Sequence, residues 1–257
     1  MTVEFFGKFL MVSSKSEIFL RSVKKTEENM IERNLILLNE KIKLACKTYG
    51  RNPSQVNLIA VSKTFGSNEI QQAINAGCRV FGENYLKESQ EKWPQLKEKF
   101  PDIKLHFIGH LQSNKAAEAV ELFDVIQTID SKKLAEIIKK EADKQQKNPE
   151  IFLQVNIGEE EQKYGIKLSE ISEFISFSRD QLKLNVVGLM CIPPANELAS
   201  PYFALLAKIA KQHSLKKLSM GMSTDFDQAI ALGATHIRLG TAIFGNRSSK
   251  NLDLIAS

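Results

Sequence analysis

The chain has 257 residues, 43% hydrophobic and 25% charged, enough apolar material for a sizeable core and an ordinary polar share for a globular protein. Its 35 basic and 30 acidic residues leave a net charge of +5 spread along the chain, and without a basic block neither nucleic acid nor a membrane surface is an expected partner. Cys46, Cys78 and Cys191 stand far apart and form no CxxC pair, which argues against a disulfide framework or zinc site and for a reducing, cytoplasmic setting; no apolar stretch approaches the ~20 residues that span a bilayer.

Residues 1–29 contain Phe5, Phe6, Phe9, Leu10, Ile18, Phe19 and Leu20, but Glu4, Lys8, Lys15 and Glu17 interrupt them, whereas a signal peptide needs a continuous apolar core. The segment reads as an N-terminal extension, disordered or begun at an upstream start, with Met11 and Met30 as alternative starts. An ordered extra helix and a targeting peptide are the other readings. From Met30, the residues Ile31, Leu35, Leu38, Ile42 and Ala45 recur on one helical face until Gly50 and Pro53.

Beyond that helix the chain alternates short apolar runs with longer amphipathic ones. Strands are expected at Val56–Val61, Arg79–Gly82, Lys104–Ile108, Val125–Thr128, Ile151–Asn156, Leu184–Leu189, Lys217–Ser219 and Thr235–Leu239. Helices are expected near 68–76, 85–99, 113–121, 131–146, 168–178, 198–211 and 225–232. The near-continuous apolar character of LIAV and IFLQV fits strands covered by helices. Repeated βα units predict a parallel sheet, and eight of them in residues 30–257 predict one α/β domain, a single (β/α)8 TIM barrel preceded by a helix. No Gly-x-Gly-x-x-Gly turn follows the first strand, against a dinucleotide-binding sheet.

Such barrels carry their sites at the C-terminal strand ends. Lys63 follows the first strand, where a partly desolvated amine becomes a nucleophile toward aldehydes; the alternative is a solvated strand-end lysine. Gly221, Met222 and Ser223 after strand seven, and Gly240 and Thr241 after strand eight, supply turns and hydroxyls where barrels often bind phosphate. The same residues would also serve merely to end strands and cap helices. Arg238 ends strand eight, placed either to meet a ring nitrogen and keep it unprotonated or to pair with Glu83. His106 reads as a packed core histidine and Cys191 as a buried small residue. The Lys/Glu alternation over 85–99 and 131–147 reads as solvated helix face.

The motifs LIAVSKTF at 58–65, FGENYLKE at 81–88, HFIGHLQSNK at 106–115, GLMCIPP at 188–194, LSMGMSTDFDQAIALGAT at 218–235 and IRLGTAIFGNR at 237–247 resemble the pyridoxal phosphate homeostasis proteins, the YggS/PROSC group. These share the N-terminal barrel fold of alanine racemase. The resemblance covers residues 30–247. It implies pyridoxal 5'-phosphate as cofactor, held as a Schiff base on Lys63, with Ser223, Gly240 and Thr241 as phosphate cradle and Arg238 as partner of the pyridine nitrogen. Asn84 and Met190 are implied as ring-side contacts, and Ser219 as an aid near the phosphate.

Related racemases add a β-rich domain bearing a catalytic tyrosine, which does not follow Arg247 in this sequence. The resemblance therefore implies a cofactor-holding role in vitamin B6 balance, without dedicated catalysis, in a monomer whose recipients are cofactor-free enzymes. A fold-type III enzyme such as a weak racemase is the alternative, and a cofactor-free Schiff-base lyase a third.

Overall fold

The computed structural model describes residues 30–245, so the extension 1–29 lies outside the described residues. Helix α1, Met30–Thr48, buries Ile31, Leu35, Leu38, Ile42 and Ala45, the stripe that its 3.6-residue period predicts. Asn34 ties it to the far end of the chain by donating its side-chain amide to the Ile243 carbonyl at 2.9 Å.

Eight strands follow: β1 Asn57–Val61, β2 Val80–Glu83, β3 Lys104–Phe107 and β4 Val125–Ile129, then β5 Glu150–Val155, β6 Val186–Cys191, β7 Lys217–Ser219 and β8 His236–Leu239. They close into a barrel in sequence order. Every pairing is parallel, and β1 meets β8 with Ile59 opposite Arg238. The covering helices are α2 Ser67–Asn75, α3 Leu86–Lys99, α4 Ala116–Leu122 and α5 Lys132–Lys144. They continue with α6 Ile171–Ser176, α7 Ala199–Gln212, α8 Phe226–Ala231 and the one-turn α9 Thr241–Phe244. No helix among the described residues is long and apolar enough to cross a membrane.

Side chains alternate across each strand, so the barrel has two cores. Outward residues such as Ala60, Phe81, Leu105, Ile126, Leu153, Leu189 and Ile237 pack with the helices in one apolar cluster. Inside the barrel, Val125, Phe152 and Met190 form a separate apolar cluster. Next to it lie buried polar groups, His106, Gln127, Ser219, His236 and Arg238.

The expected strands and helices are present, with two informative shifts. Strand six begins at Val186 instead of Leu184 and runs through Cys191, because Lys183 takes a left-handed φ of 57° and Leu184 bonds back to Ser178. The apolar Leu184 is buried as a strand residue would be, but outside the ladder. The helix expected at 168–178 starts only at Ile171 and ends in a π turn, Phe177–Gln181.

Candidate functional site

A cavity of about 210 Å³ opens at the C-terminal end of the strands. Six of the eight residues that the resemblance implies as cofactor contacts line it: Lys63, Asn84, Ser223, Arg238, Gly240 and Thr241. Val61, Phe65, Ile108, Ile192 and Met222 supply apolar walls. The structure thus joins residues from β1, β2, β7 and β8 that lie up to the length of the barrel apart in sequence.

The Lys63 turn is held from behind. Thr64 adopts a φ of 68°, a left-handed conformation costly for a β-branched residue. Its N–H donates to Glu88 Oε1 at 2.7 Å. Lys92 donates to the carbonyls of Ser62 and Phe65 at 3.1 and 3.2 Å, so one ammonium pins both ends of the turn. That ammonium lies 2.8 Å from Glu83 and 2.7 Å from Glu88. The Glu83 carboxylate also accepts from Ser62 Oγ at 2.6 Å and from the Trp93 indole at 3.1 Å. Burial pushes the Glu83 carboxyl pKa up, with Lys92 opposing the shift. The Lys/Glu alternation of 85–99 is therefore not all solvated face: Glu88 and Lys92, one turn apart, face inward. Their i,i+4 spacing beside the buried Trp93 is the signal that sequence reasoning passed over.

On the opposite wall, the loops after β7 and β8 converge. Gly221 has a φ of +94°, and a Cβ there would sit 2.5 Å from the Ala229 methyl, so the turn requires glycine. The next amide, Met222 N–H, donates to Asp225 Oδ1 at 2.6 Å. These constraints bring Ser223 Oγ and Thr241 Oγ1 to 3.4 Å of each other, on two different loops. Both hydroxyls line the cavity, a pair suited to donate to one anionic group.

Arg238 forms part of the cavity floor and is buried. Its guanidinium donates to Ser219 Oγ at 2.8 Å and to the Cys191 carbonyl at 2.9 Å. Both partners are neutral, and the pairing with Glu83 that the sequence left open is not formed, since Glu83 is engaged by Lys92. Burial lowers the Arg238 pKa from its ordinary value, yet a guanidinium stays charged in a protein. The site therefore presents a buried positive charge whose described hydrogen-bond partners are both neutral, with Asp225 acting on it only through space.

The family profile described as "Alanine racemase, N-terminal domain" matches residues 38–248. The pyridoxal phosphate homeostasis protein of Haemophilus influenzae is 37% identical over 228 residues, covering 85% of this chain and 96% of the relative. That of Aquifex aeolicus is 36% identical over 217 residues, covering 81% and 94%. The chain belongs to the pyridoxal phosphate homeostasis protein family. Among solved structures, PipY of Synechococcus elongatus with PLP bound superposes with a TM-score of 0.71 at 36% identity, covering 84% of this chain and 100% of that one. Alanine racemase of Corynebacterium glutamicum, at 15% identity and a TM-score of 0.62, covers 87% of this chain and 62% of its own and shares the fold.

Two residues that the family resemblance pointed to lie elsewhere than expected. Met190 is inside β6, not beyond its end, and is buried against Val125 and Phe152 in the barrel interior. Ser219 is likewise buried and contacts Arg238 instead of lining the cavity. Asn84 lines the cavity, and its Oδ1 is buried without a hydrogen-bond partner among the described residues. Gly109 explains its position, since a Cβ there would come within 2.1 Å of the Asn84 carbonyl oxygen. His106 is a core histidine bonded to Gln127 at 2.8 Å, and burial holds its pKa well below the ordinary value. Cys191 is buried, its thiol pushed up to about 12. Among the described residues no group of three or more His, Cys, Asp or Glu could hold a metal ion.

Proposed function

We propose that this chain binds pyridoxal 5'-phosphate in the barrel mouth and serves intracellular vitamin B6 homeostasis, holding the cofactor as a Schiff base on Lys63. The observation that carries the reading is the convergence on one cavity of an amine, a pair of hydroxyls and a guanidinium, at Lys63, Ser223 with Thr241, and Arg238. The residues fit the group. Asn84 Oδ1 is a buried acceptor lacking a protein partner, and the hydroxyl pair suits a phosphate. When bound, the cofactor supplies a reactive aldehyde. Lys63 would hold that group through its side-chain amine. Gly240, whose Cβ would lie 3.1 Å from the Val61 carbonyl, lets the chain pass close to β1 beneath the phosphate loop. Arg238 would serve as the partner of the ring nitrogen, where its positive charge would disfavour protonation.

The role is that of a carrier and buffer and not of a dedicated enzyme. In support, the polar groups that line the cavity, Lys63, Asn84, Ser223, Thr241 and Arg238, are of the kinds that hold an anionic aldehyde. The relatives' name and PipY's bound PLP support the cofactor assignment. The same reading makes the protein cytoplasmic and monomeric, with its thiols reduced, and makes cofactor-free enzymes the recipients. A weak fold-type III racemase is the second reading, favoured by Arg238, whose counterpart suits racemisation. Absorption spectra of the purified wild type and Lys63→Ala test the proposal. A yellow wild type bleached by borohydride, beside a colourless variant, is expected. A wild type that stays colourless with added pyridoxal phosphate overturns it. Stereospecific α-proton exchange with an amino acid, lost on Lys63→Ala, would move the assignment to the racemase.

A further inference from the structure

Beneath the cavity, one hydrogen-bond chain crosses the barrel interior. Arg238 Nη1 donates to Ser219 Oγ at 2.8 Å, and Ser219 Oγ donates to Gln127 Oε1 at 2.6 Å. The Gln127 amide nitrogen lies 2.8 Å from His106 Nδ1. All four side chains are buried, and the chain links β8, β7, β4 and β3. With the Gln127 amide oxygen toward Ser219, the direction follows. The arginine is donor only and the serine has one proton, so that proton goes to the amide oxygen. The amide nitrogen then turns to His106, which must accept at Nδ1 and be neutral. Burial and the nearby His236 and Lys104 keep it so.

We propose that Gln127 and His106 are positioning residues, which fix the Arg238 guanidinium at the cavity floor and thereby set the electronic state of the bound pyridine ring. Neither lines the cavity; both act through Ser219. The inference rests on the reading of Arg238 as the ring-nitrogen partner. Buried networks of this kind specify one geometry only when every member is satisfied. A Gln127 side chain without its amide would leave the serine proton and His106 Nδ1 unpaired and release the Ser219 hydroxyl, so that the Cys191 carbonyl would be the one fixed partner of the guanidinium among the described residues.

The test uses full-length protein loaded with pyridoxal phosphate, read by the pH dependence of its visible absorption band and by cofactor affinity. The variants are Gln127→Met, His106→Phe and Arg238→Met, with thermal melts of the cofactor-free forms alongside. Gln127→Met is expected to shift the band's pH profile in the same direction as Arg238→Met and to weaken binding about tenfold, as loss of a buried hydrogen-bond link implies. His106→Phe should shift the profile less, since it removes only the outermost link. If Arg238→Met shifts the profile while a folded Gln127→Met keeps the wild-type profile and affinity, the positioning role is wrong and the reading of Arg238 stands. If Arg238→Met itself changes nothing, that reading fails and the inference with it. Should Gln127→Met not fold, Ser219→Ala breaks the same chain by deleting one oxygen, and the same two outcomes decide.

Discussion

The ammonium of Lys92 lies 2.8 Å from the carboxylate of Glu83, and both side chains are almost withdrawn from water, at 8% and 0% exposure. The pair sits behind the Lys63 turn, between β2 and α3, and Lys92 also donates to Glu88 and to the carbonyls of Ser62 and Phe65. A buried ion pair contributes little net stability against an apolar substitute, but removing one partner strands the other. Lys92→Met should therefore cost about 3–5 kcal/mol in denaturant unfolding. The double variant Lys92→Met with Glu83→Gln should recover part of that loss. In both, cofactor affinity should fall more than stability alone explains, because the turn carrying Lys63 loses its clamp.

Ser223 and Thr241 approach from separate loops to 3.4 Å of each other, so both should contribute to phosphate recognition. Ser223→Ala and Thr241→Ala should each weaken pyridoxal phosphate binding about tenfold or more, the scale of a hydrogen bond to a charged group. Affinity for pyridoxal, which lacks the phosphate, should be unchanged. Titration of both ligands against each variant checks this, and an equal loss for the two ligands would remove the hydroxyls from the phosphate cradle.

Gly109→Ala tests how tightly the mouth is built. The new methyl would overlap the Asn84 carbonyl at 2.1 Å, where backbone must move. We expect a destabilisation of about 1–3 kcal/mol, typical of overpacking, seen as a lower melting temperature, with weaker cofactor binding as Asn84 is displaced.

The interior histidines make stability depend on pH. His236 is buried, and burial with the neighbouring Lys217 lowers its pKa from 6.5 to about 4. A proton then binds the unfolded chain more readily than the folded one. The stability is intact above pH 6.5 and is lost as pH falls toward 4. From pH 7 to pH 5 the loss from this residue should be about 2 kcal/mol. His106 shifts in the same direction and adds to it. Urea midpoints at the two pH values measure the loss, and His236→Phe should flatten the dependence.

Local pattern determined much of this protein. The period of apolar residues marks α1 and the βα repeats, and the strand ends so located put Lys63, Asn84, Ser223, Arg238, Gly240 and Thr241 at one barrel face, since a closed parallel barrel gathers its C-terminal ends. A chain's own periodicity states which face of an element is buried. It does not state which buried polar group meets which, because those partners are distant: Ser219 and Gln127 are separated by 92 positions, and Lys92 and Ser62 by 30. Only the tertiary structure turned Glu88 and Lys92 inward, kept Met190 inside β6, and ran the polar chain from His106 to Arg238. Strand register and barrel closure decided those contacts, as the cost of leaving a buried charge or amide unpaired requires.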